Sequence, residues 1–506
     1  MKKILLLLLL LLLSAIGGLL SAAEKSVYSC SFAPKELAGW KIPPAFAKVE
    51  TVDGAPALRV TVKPGNETKE QHFAIREIDL APYRGNQLFL TYEVKGENVS
   101  VPPEQWNGVK LMLHFKTPQE EVWRGAGAPT GSFGWRTASA TAFIPAGATA
   151  GTINLGLQSS SGTVWVRSVK ITASEPAATV PEGFRAVYTN RVKRMPRLRG
   201  VMSPNSFKPE DMDELKRWNA NLIRWQIKRN WGRAGTELDL EEYLRWFNGR
   251  LEELDKVLDK CGELGIYVLI DLHTPPGGRD ETGNMVMFYN PVYRDAFYAM
   301  WEQMAKRYKD HPAVWGCNLL NEPVQTRPTE DDYLSVQYEA ARRIRAIDPE
   351  LPVIIESNNS SSPAAFPALR PLPLANIIYQ AHMYAPYSYT HQGIYDRRAE
   401  PVVYPGVIEG APYDRERLKR CLAPVREFEK KYGAKIYIGE FSAVRYAPGA
   451  AQYLEELISI FEEYGWDWSY HAFRESPYWD VELDAEAKPA ETDRRKVLLK
   501  YFRRNR

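Results

Sequence analysis

The chain has few cysteines, almost no net charge and no phosphate-binding glycine motif, and each shortage removes a class of function. Its four cysteines, Cys30, Cys261, Cys317 and Cys421, are scattered over 506 residues. They lack the density of a disulfide scaffold and the spacing of metal ligands, so we interpret them as buried thiols. Lysine and arginine (65) nearly balance aspartate and glutamate (62), and no basic stretch suits nucleic acid.

Residues 1–23 have the composition of a secretory signal peptide. Met1-Lys2-Lys3 is basic, residues 4–20 are almost wholly apolar, and Ser21-Ala22-Ala23 offers small residues for cleavage. An uncleaved membrane anchor is the alternative, since the apolar run approaches the lower length limit of a span. We expect a secreted or periplasmic protein that is not inserted in the membrane after cleavage.

Residues 24–173 predict an all-β sandwich. Short segments in this region alternate apolar and polar residues, and turns rich in glycine, proline and asparagine separate them. The clearest of these segments are 57–62, 88–94, 109–115, 153–157 and 164–171. Residues 174–190 are rich in proline and alanine and are predicted to be a linker.

Residues 191–506 alternate strand-like and helix-like segments, which predicts an α/β fold. The predicted strands are 198–202, 221–227, 266–272, 313–320, 353–356, 376–383, 435–439 and 466–473. Eight such strands over this length favour a (β/α)8 TIM barrel. A doubly wound open sheet is the alternative, but no Gly-x-Gly-x-x-Gly follows any of the strands.

The apolar run 313–320 is the most informative segment because it ends in Asn321-Glu322-Pro323. Glutamate is rarely buried without a partner, and the carboxyl ends of barrel strands face the catalytic mouth. Glu440 occupies the corresponding place after the seventh strand. Paired carboxylates suit cleavage of a glycosidic bond, one as acid and the other as nucleophile or base.

Other polar and aromatic residues fall at the ends of predicted strands and are candidates for substrate binding. They are Arg224, His273, Asn321, His382, Tyr384, Trp468 and His471. Arg224 and Tyr384 could hold the nucleophile ionised. Zinc hydrolysis through His273, His382 and His471 is the rival chemistry, but neither His-x-His nor His-Glu-x-x-His occurs. A Gly-x-Ser-x-Gly nucleophile elbow is absent as well.

Over residues 198–473 the chain resembles glycoside hydrolase family 5, the cellulase-type family. The resemblance rests on an ordered set of residues: Arg224, His273, Asn321-Glu322-Pro323, His382-x-Tyr384 and Gly439-Glu440. The resemblance implies a retaining double displacement with Glu322 as acid/base and Glu440 as nucleophile. It also implies that Asn321 binds the sugar 2-hydroxyl. The family usually places a tryptophan platform on strand eight, whereas this chain has His471 where many members carry an aromatic residue. We expect Trp468 to be the platform.

The first domain resembles the jelly-roll carbohydrate-binding modules that accompany such enzymes, on strand pattern and domain order. Trp106, Trp123 and Trp135 lie in or near predicted loops and could stack on sugars. Core packing is the alternative for these rings, and the domain could simply brace the barrel. Tyr387, Tyr389 and His391, after strand six, are expected to line the cleft, and a solvated loop is the alternative for them.

These features predict a monomeric β-glycosidase that acts on a polysaccharide or oligosaccharide and needs no cofactor or metal. A β-1,4-glucan is the expected substrate, with mannan, xyloglucan and β-1,3-glucan as alternatives on the same fold. A carbohydrate-binding protein without catalysis is the hypothesis from another class, and the presence of both glutamates argues against it.

Overall fold

The computed structural model describes residues 24–67, 71–103, 107–117, 121–145, 147–174, 180–329, 331–394 and 400–505. The predicted signal peptide and Trp106 lie outside these residues. The chain forms two compact units, one of residues 1–179 with 326–332 and the other of residues 180–325 with 333–506. Among the described helices, none combines the length and the apolar character needed to span a membrane.

The first unit is a sandwich of two antiparallel sheets, as predicted. One sheet contains β1 (Glu24–Cys30), β3 (Ala47–Val52), β4 (Ala55–Val62), β6 (Gln87–Val99), β9 (Gly131–Phe143) and β11 (Gly162–Ser174). The other contains β2 (Trp40–Lys41), β5 (Gln71–Asp79), β7 (Gly108–Lys116), β8 (Glu121–Ala126) and β10 (Ala150–Gln158). Alternate residues of both sheets, such as Leu90 and Leu155, share one apolar core.

The second unit is a closed barrel of eight parallel strands, which confirms the predicted fold. Its strands are β12 (Arg199–Met202), β13 (Leu222–Gln226), β14 (Tyr267–Asp271), β15 (Val314–Asn318), β16 (Val353–Glu356), β17 (Ile377–Met383), β20 (Lys435–Phe441) and β21 (Asp467–Tyr470). A small hairpin of β18 (Gly406–Ile408) and β19 (Ala411–Tyr413) lies between the sixth and seventh strands.

The helices of this unit connect the strands. They are α1 (Asn190–Lys193), α2 (Pro209–Arg217), α3 (Leu240–Leu264), α4 (Pro291–Tyr308), α5 (Tyr333–Ile347), α6 (Tyr387–Thr390), α7 (Arg415–Tyr432), α8 (Ala450–Tyr464) and α9 (Asp493–Phe502). The longest, α3, begins where the Asp239 side chain accepts a hydrogen bond from the Glu242 backbone. It ends at Gly265, whose φ of +67° suits a left-handed cap.

The barrel interior changes from apolar to polar along the strands. Near the amino ends of the strands, an apolar cluster that includes Trp315 and Tyr437 fills the centre. Two positions further along a strand, the side chain returns to the interior, and there the residue is polar. The pairs are Leu222 and Arg224, Leu269 and Asp271, Ile354 and Glu356, and Ile378 and Gln380. The carboxyl end of the barrel therefore holds a buried polar layer above an apolar floor.

Candidate active site

A cavity of about 660 Å³ opens at the carboxyl end of the barrel. Most of the residues predicted for the site line it, and loop residues complete its walls. The lining includes Lys228, Trp231, His273, Asn321, Glu322, His382, Tyr384, Tyr387, His391, Glu440, His471, Glu475 and Trp479. The strand ends thus bring together side chains that are far apart in sequence.

Arg224 is completely buried and contacts two residues that line this cavity, Asn321 and Glu440. Its Nη1 donates to Glu440 Oε1 at 2.6 Å, and its Nη2 donates to Asn321 Oδ1 at 2.7 Å. Its Nε donates to Asn318 Oδ1 at 2.9 Å. The planar guanidinium has donors on several sides, so one cation orients three side chains at once.

Glu440 is held as a carboxylate by the charges around it. Burial by itself raises the pKa of a carboxyl group, but His382 and Arg224 outweigh that effect and hold the pKa of Glu440 well below its usual range. Tyr384 donates its hydroxyl to the second oxygen, Oε2, at 2.9 Å. Both oxygens of Glu440 are therefore fixed by donors.

Glu322 faces Glu440 in a different environment. The Glu322 side chain is 21% exposed, against 7% for Glu440, and His382 Nδ1 lies 3.0 Å from its Oε1. Burial acts to lower the pKa of His382, but Glu440, Glu356 and Glu322 together raise it to about 9. His382 lies between the two catalytic candidates, and the three surrounding carboxylates favour its charged form.

The two carboxylates are close. One oxygen of each, together with one ring nitrogen of His382, lie within 4.8 Å of one another. Retaining glycosidases hold their carboxyl groups about 5–5.5 Å apart, whereas inverting enzymes separate them by about 6.5–9.5 Å to admit a water. The two closest oxygens therefore lie nearer to each other than the carboxyl groups of inverting enzymes do.

The backbone at Glu322 takes a left-handed conformation, with φ of +49°. This region disfavours residues that carry a Cβ, so other contacts must hold the peptide in place. The Glu322 N–H donates to Glu356 Oε2 at 2.8 Å, and the Glu322 carbonyl accepts from Arg279 Nη2 at 2.7 Å. These two bonds fix the direction in which the Glu322 side chain leaves the chain.

Glu356, at the end of β16, is fully buried and serves several donors. Its Oε1 accepts from Asn318 Nδ2 at 2.9 Å, from Arg224 Nη2 at 3.2 Å and from Gln380 Nε2 at 2.5 Å. Burial raises the pKa of Glu356 to about 7, although His382 and Arg224 oppose the rise. Glu356 thus joins the backbone of Glu322 to the cation that holds Glu440.

Asn321 and His273 form a second fixed pair. The amide of Asn321 accepts from Arg224 and donates to His273 Nε2 at 3.2 Å, while His273 Nδ1 donates to Asp271 Oδ2 at 2.8 Å. Burial holds the pKa of His273 well below its usual range, so the ring is neutral and can accept from Asn321. Burial likewise raises the pKa of Asp271 to about 7, although Arg224 opposes it.

The wall on the side of strand eight is polar. Tyr384 also contacts His471, with the hydroxyl 2.7 Å from Nδ1, and His471 Nε2 lies 2.8 Å from Glu475 Oε2. The other oxygen of Glu475 pairs with the Lys228 ammonium. The Trp479 ring lies 5.5 Å from the His471 ring, so hydrogen-bonding side chains and an aromatic ring share this wall.

Trp468 is not the platform, so that prediction is wrong. Its ring is 0% exposed and faces the helices outside the barrel, where it stacks on Phe502 and donates from Nε1 to Glu462 Oε1 at 3.0 Å. Tyr389 is also buried, against Tyr404 and Tyr453, and not in the cleft. Tyr387 and His391 do line the cavity, and their rings stack 3.9 Å apart.

Several residues of the site were missed by the sequence analysis. Glu356 is a carboxylate at a strand end, the same signal that identified Glu322, and that signal could have found it. The others lie in loops or within strands, where no periodicity marks them. They are Lys228, Trp231, Arg279, Asn318, Gln380, Glu475 and Trp479.

The three histidines considered for zinc are engaged in separate hydrogen-bonded pairs. Among the described residues, the set close enough to share an ion is Glu322, His382 and Glu440. Arg224 lies 2.6 Å from Glu440 and would repel a cation there. The donor set suits hydrogen bonding and proton transfer better than metal binding.

Comparison with known proteins agrees with this geometry. Residues 188–476 match the model of the cellulase family, glycosyl hydrolase family 5. The chain belongs to glycosyl hydrolase family 5. As a family 5 enzyme, it is a glycosidase that hydrolyses glycosidic bonds.

Similar proteins carry names from the same activity class. Endoglucanase C from Acetivibrio thermocellus is 29% identical over 250 residues, which cover 44% of this chain and 72% of that protein. Cellodextrinase A from Ruminococcus flavefaciens is 24% identical over 275 residues, which cover 52% of this chain and 76% of that protein. The crystal structure of endoglucanase Cel5A from Thermotoga maritima is 25% identical, with a TM-score of 0.46, and covers 60% of this chain and 96% of that one.

Glu356→Gln should lower kcat while leaving the fold intact. The glutamine amide keeps the size of the side chain but replaces one acceptor oxygen with an NH2 group. That group faces the N–H donors that Glu356 now accepts from, so the hydrogen bond to the Glu322 backbone N–H weakens. Losing one or two such hydrogen bonds corresponds to roughly a 10–100-fold loss in kcat. Steady-state kinetics measure kcat of the variant, and Glu416→Gln, at an exposed glutamate of α7, is the control. A kcat within about twofold of wild type would contradict the positioning role.

His382 should make stability depend on pH in the alkaline range. Its pKa is about 9 in the folded protein against 6.5 for the free side chain, so its contribution is complete below pH 6.5 and is lost as the pH rises through 9. This pKa shift corresponds to a contribution of His382 to the free energy of unfolding on the order of 3 kcal/mol. The stability difference between wild type and His382→Gln, from urea unfolding, should shrink over this range. A constant difference would contradict a protonated His382.

Proposed function

We propose that this family 5 enzyme is an exported, retaining endo-β-1,4-glucanase, with Glu440 as nucleophile and Glu322 as acid/base. The observation that carries the proposal is the pair of carboxylates within 4.8 Å in unequal environments. Glu440 is fixed by Arg224 and Tyr384, whereas Glu322 is more exposed and contacts His382. A pair of this kind suits a double displacement.

In the first step, a Glu440 oxygen attacks the anomeric carbon while the bond to the leaving sugar breaks. Glu322 gives its proton to the departing oxygen, and a covalent glycosyl ester forms on Glu440. In the second step, Glu322 takes a proton from water, the hydroxide adds to the same carbon, and Glu440 leaves as a carboxylate. Two displacements on one carbon preserve its configuration.

The residues around the pair support these steps. Arg224 stabilises the charge of Glu440 before attack and after departure. Asn321 is held by Arg224 and His273, so its amide is fixed beside Glu322, as expected for a group that binds the sugar 2-hydroxyl. Trp231 and Trp479 line the cavity and offer flat apolar surface for sugar rings.

The β-1,4-glucan assignment is supported by the family and by relatives named endoglucanases and a cellodextrinase. Initial rates on cellulose derivatives, mannan, xyloglucan and β-1,3-glucan test it. The highest kcat/KM is expected on the β-1,4-glucan, with internal cleavage visible as a rapid fall in viscosity. A preference for another glycan on this panel would refute the linkage assignment and leave the mechanism untouched. Export is supported by the composition of residues 1–23.

Glu440→Gln should abolish turnover, because an amide cannot form the ester. Glu322→Gln should lose activity on polysaccharides yet retain partial activity on aryl glycosides with good leaving groups, which need little acid assistance. Proton NMR of the first product should show the β anomer before mutarotation. Near-wild-type activity of Glu440→Gln, or an initial α anomer, would refute the assignment of roles.

We also propose that the first unit binds the glycan through Trp123, whose side chain is 41% exposed and stacks 3.5 Å from His114. Trp135, in contrast, is engaged with Asp53 and Arg167. Trp123→Ala should weaken retention on insoluble glucan by roughly tenfold. The matched control is Val101→Ala, an exposed residue of the same unit without a ring. Equal retention by both variants would exclude this site.

A further inference from the structure

The hydroxyl of Tyr384 has two partners within hydrogen-bond distance. Glu440 Oε2 lies at 2.9 Å and His471 Nδ1 at 2.7 Å. A tyrosine hydroxyl carries one proton, so it can donate to only one of them at a time. Burial and the Glu440 charge raise the pKa of Tyr384 well above its usual range, so the proton stays on the phenol oxygen.

Glu475 determines which nitrogen of His471 can accept. Its Oε2 lies 2.8 Å from His471 Nε2, and its other oxygen pairs with the Lys228 ammonium. A carboxylate only accepts, so the Nε2 atom carries the hydrogen and donates it to Glu475. In a neutral ring the remaining nitrogen, Nδ1, is then an acceptor that faces Tyr384. Burial lowers the pKa of His471 to about 3, against the effect of Glu440, which keeps the ring neutral.

We propose that His471 is a second acceptor for the Tyr384 hydroxyl proton, to which that proton turns when Glu440 attacks the sugar. The proposal rests on Glu440 being the nucleophile. As the Glu440 oxygen bonds to the anomeric carbon, its charge disappears and it becomes a weak acceptor. The hydroxyl then rotates to His471 Nδ1, and no proton leaves Tyr384.

This exchange affects the two displacements differently. Without an acceptor at position 471, the Tyr384 hydrogen bond to Glu440 is lost during attack and nothing replaces it, so formation of the glycosyl enzyme slows. In the second displacement the Glu440 charge returns and Tyr384 turns back to it. Removal of His471 takes away only a competitor in that step, so hydrolysis of the glycosyl enzyme does not slow. His471 is therefore a positioning residue that acts through Tyr384.

The test compares His471→Leu with His471→Asn on an aryl β-glycoside with a good leaving group. Leucine removes the acceptor, whereas the asparagine side-chain oxygen can take the place of Nδ1. Stopped-flow measurement of the aryl burst gives the first step, and the steady-state rate gives the second. For His471→Leu we expect a roughly tenfold slower first step and a second step within about twofold of wild type. His471→Asn should stay within about threefold of wild type in both.

Equal slowing of both steps in His471→Leu, or equal loss in the leucine and asparagine variants, would overturn the proposal. Glu475→Gln provides an independent arm if the leucine variant fails to fold. A glutamine amide can donate to Nε2 and move the ring hydrogen to Nδ1, so the first step alone should slow. A first-step rate equal to that of wild type in Glu475→Gln would also overturn the proposal. Full activity of Glu440→Gln would refute the proposed function itself, which separates the two failures.

Discussion

The buried guanidinium of Arg224 is the group on which the catalytic end of the barrel depends. Asp271, Glu356 and Glu440 all carry carboxyl groups within 3.2 Å of it. Without this cation their mutual repulsion and burial would protonate them or open the site. A lysine could supply the charge, but its single ammonium could not reach Asn318, Asn321 and Glu440 together. The geometry of the layer therefore follows from the fork shape of this side chain.

The same cation contributes to the difference between the two candidate glutamates. Glu440 takes a direct bond from Arg224, whereas Glu322 is linked to it only indirectly, through the Glu356 carboxylate that accepts from both Arg224 and the Glu322 backbone. Glu440 is thus held ionised, whereas the backbone of Glu322 is held in direction. This difference between Glu440 and Glu322 comes from hydrogen bonds within the protein. It would therefore be the same for any substrate that enters the cavity.

Much of the fold could be predicted, because barrel strands are buried apolar runs and their helices are strongly periodic. The strands of the sandwich were harder to predict. Gly131–Phe143 was missed, since its inward residues include Ala138, Ala140 and Ala142, whose weak apolar signal hides the alternation. Gln71–Asp79 was missed as well, because polar residues stand at several of its positions.

Residues of the cavity were predicted where their side chains stand at strand ends. The prediction failed for Trp468, because it required knowing which residues of a strand face the barrel interior and which face the helices. Side chains alternate along β21, so one residue decides between interior and exterior. Ser469 faces the barrel interior, where it contacts Tyr437, and Trp468 beside it faces the helices. Composition cannot distinguish these two faces when both neighbours of the tryptophan are polar. Trp479, which does line the cavity, lies in a loop that no periodicity describes.

The wall beside strand eight combines hydrogen-bonding side chains with the ring of Trp479. An apolar platform binds any flat sugar face, whereas hydrogen-bonding groups bind only a sugar whose hydroxyls satisfy them. Discrimination by unsatisfied buried polar groups reaches about 10⁴–10⁵, far above what a hydrophobic contact provides. His471, Glu475 and Lys228 already satisfy one another. Because these groups are already paired, a mismatched sugar does not leave them unsatisfied, and discrimination of that size does not follow from them. The Trp479 ring, 5.5 Å from His471 in the same lining, adds apolar surface for contact with a sugar face.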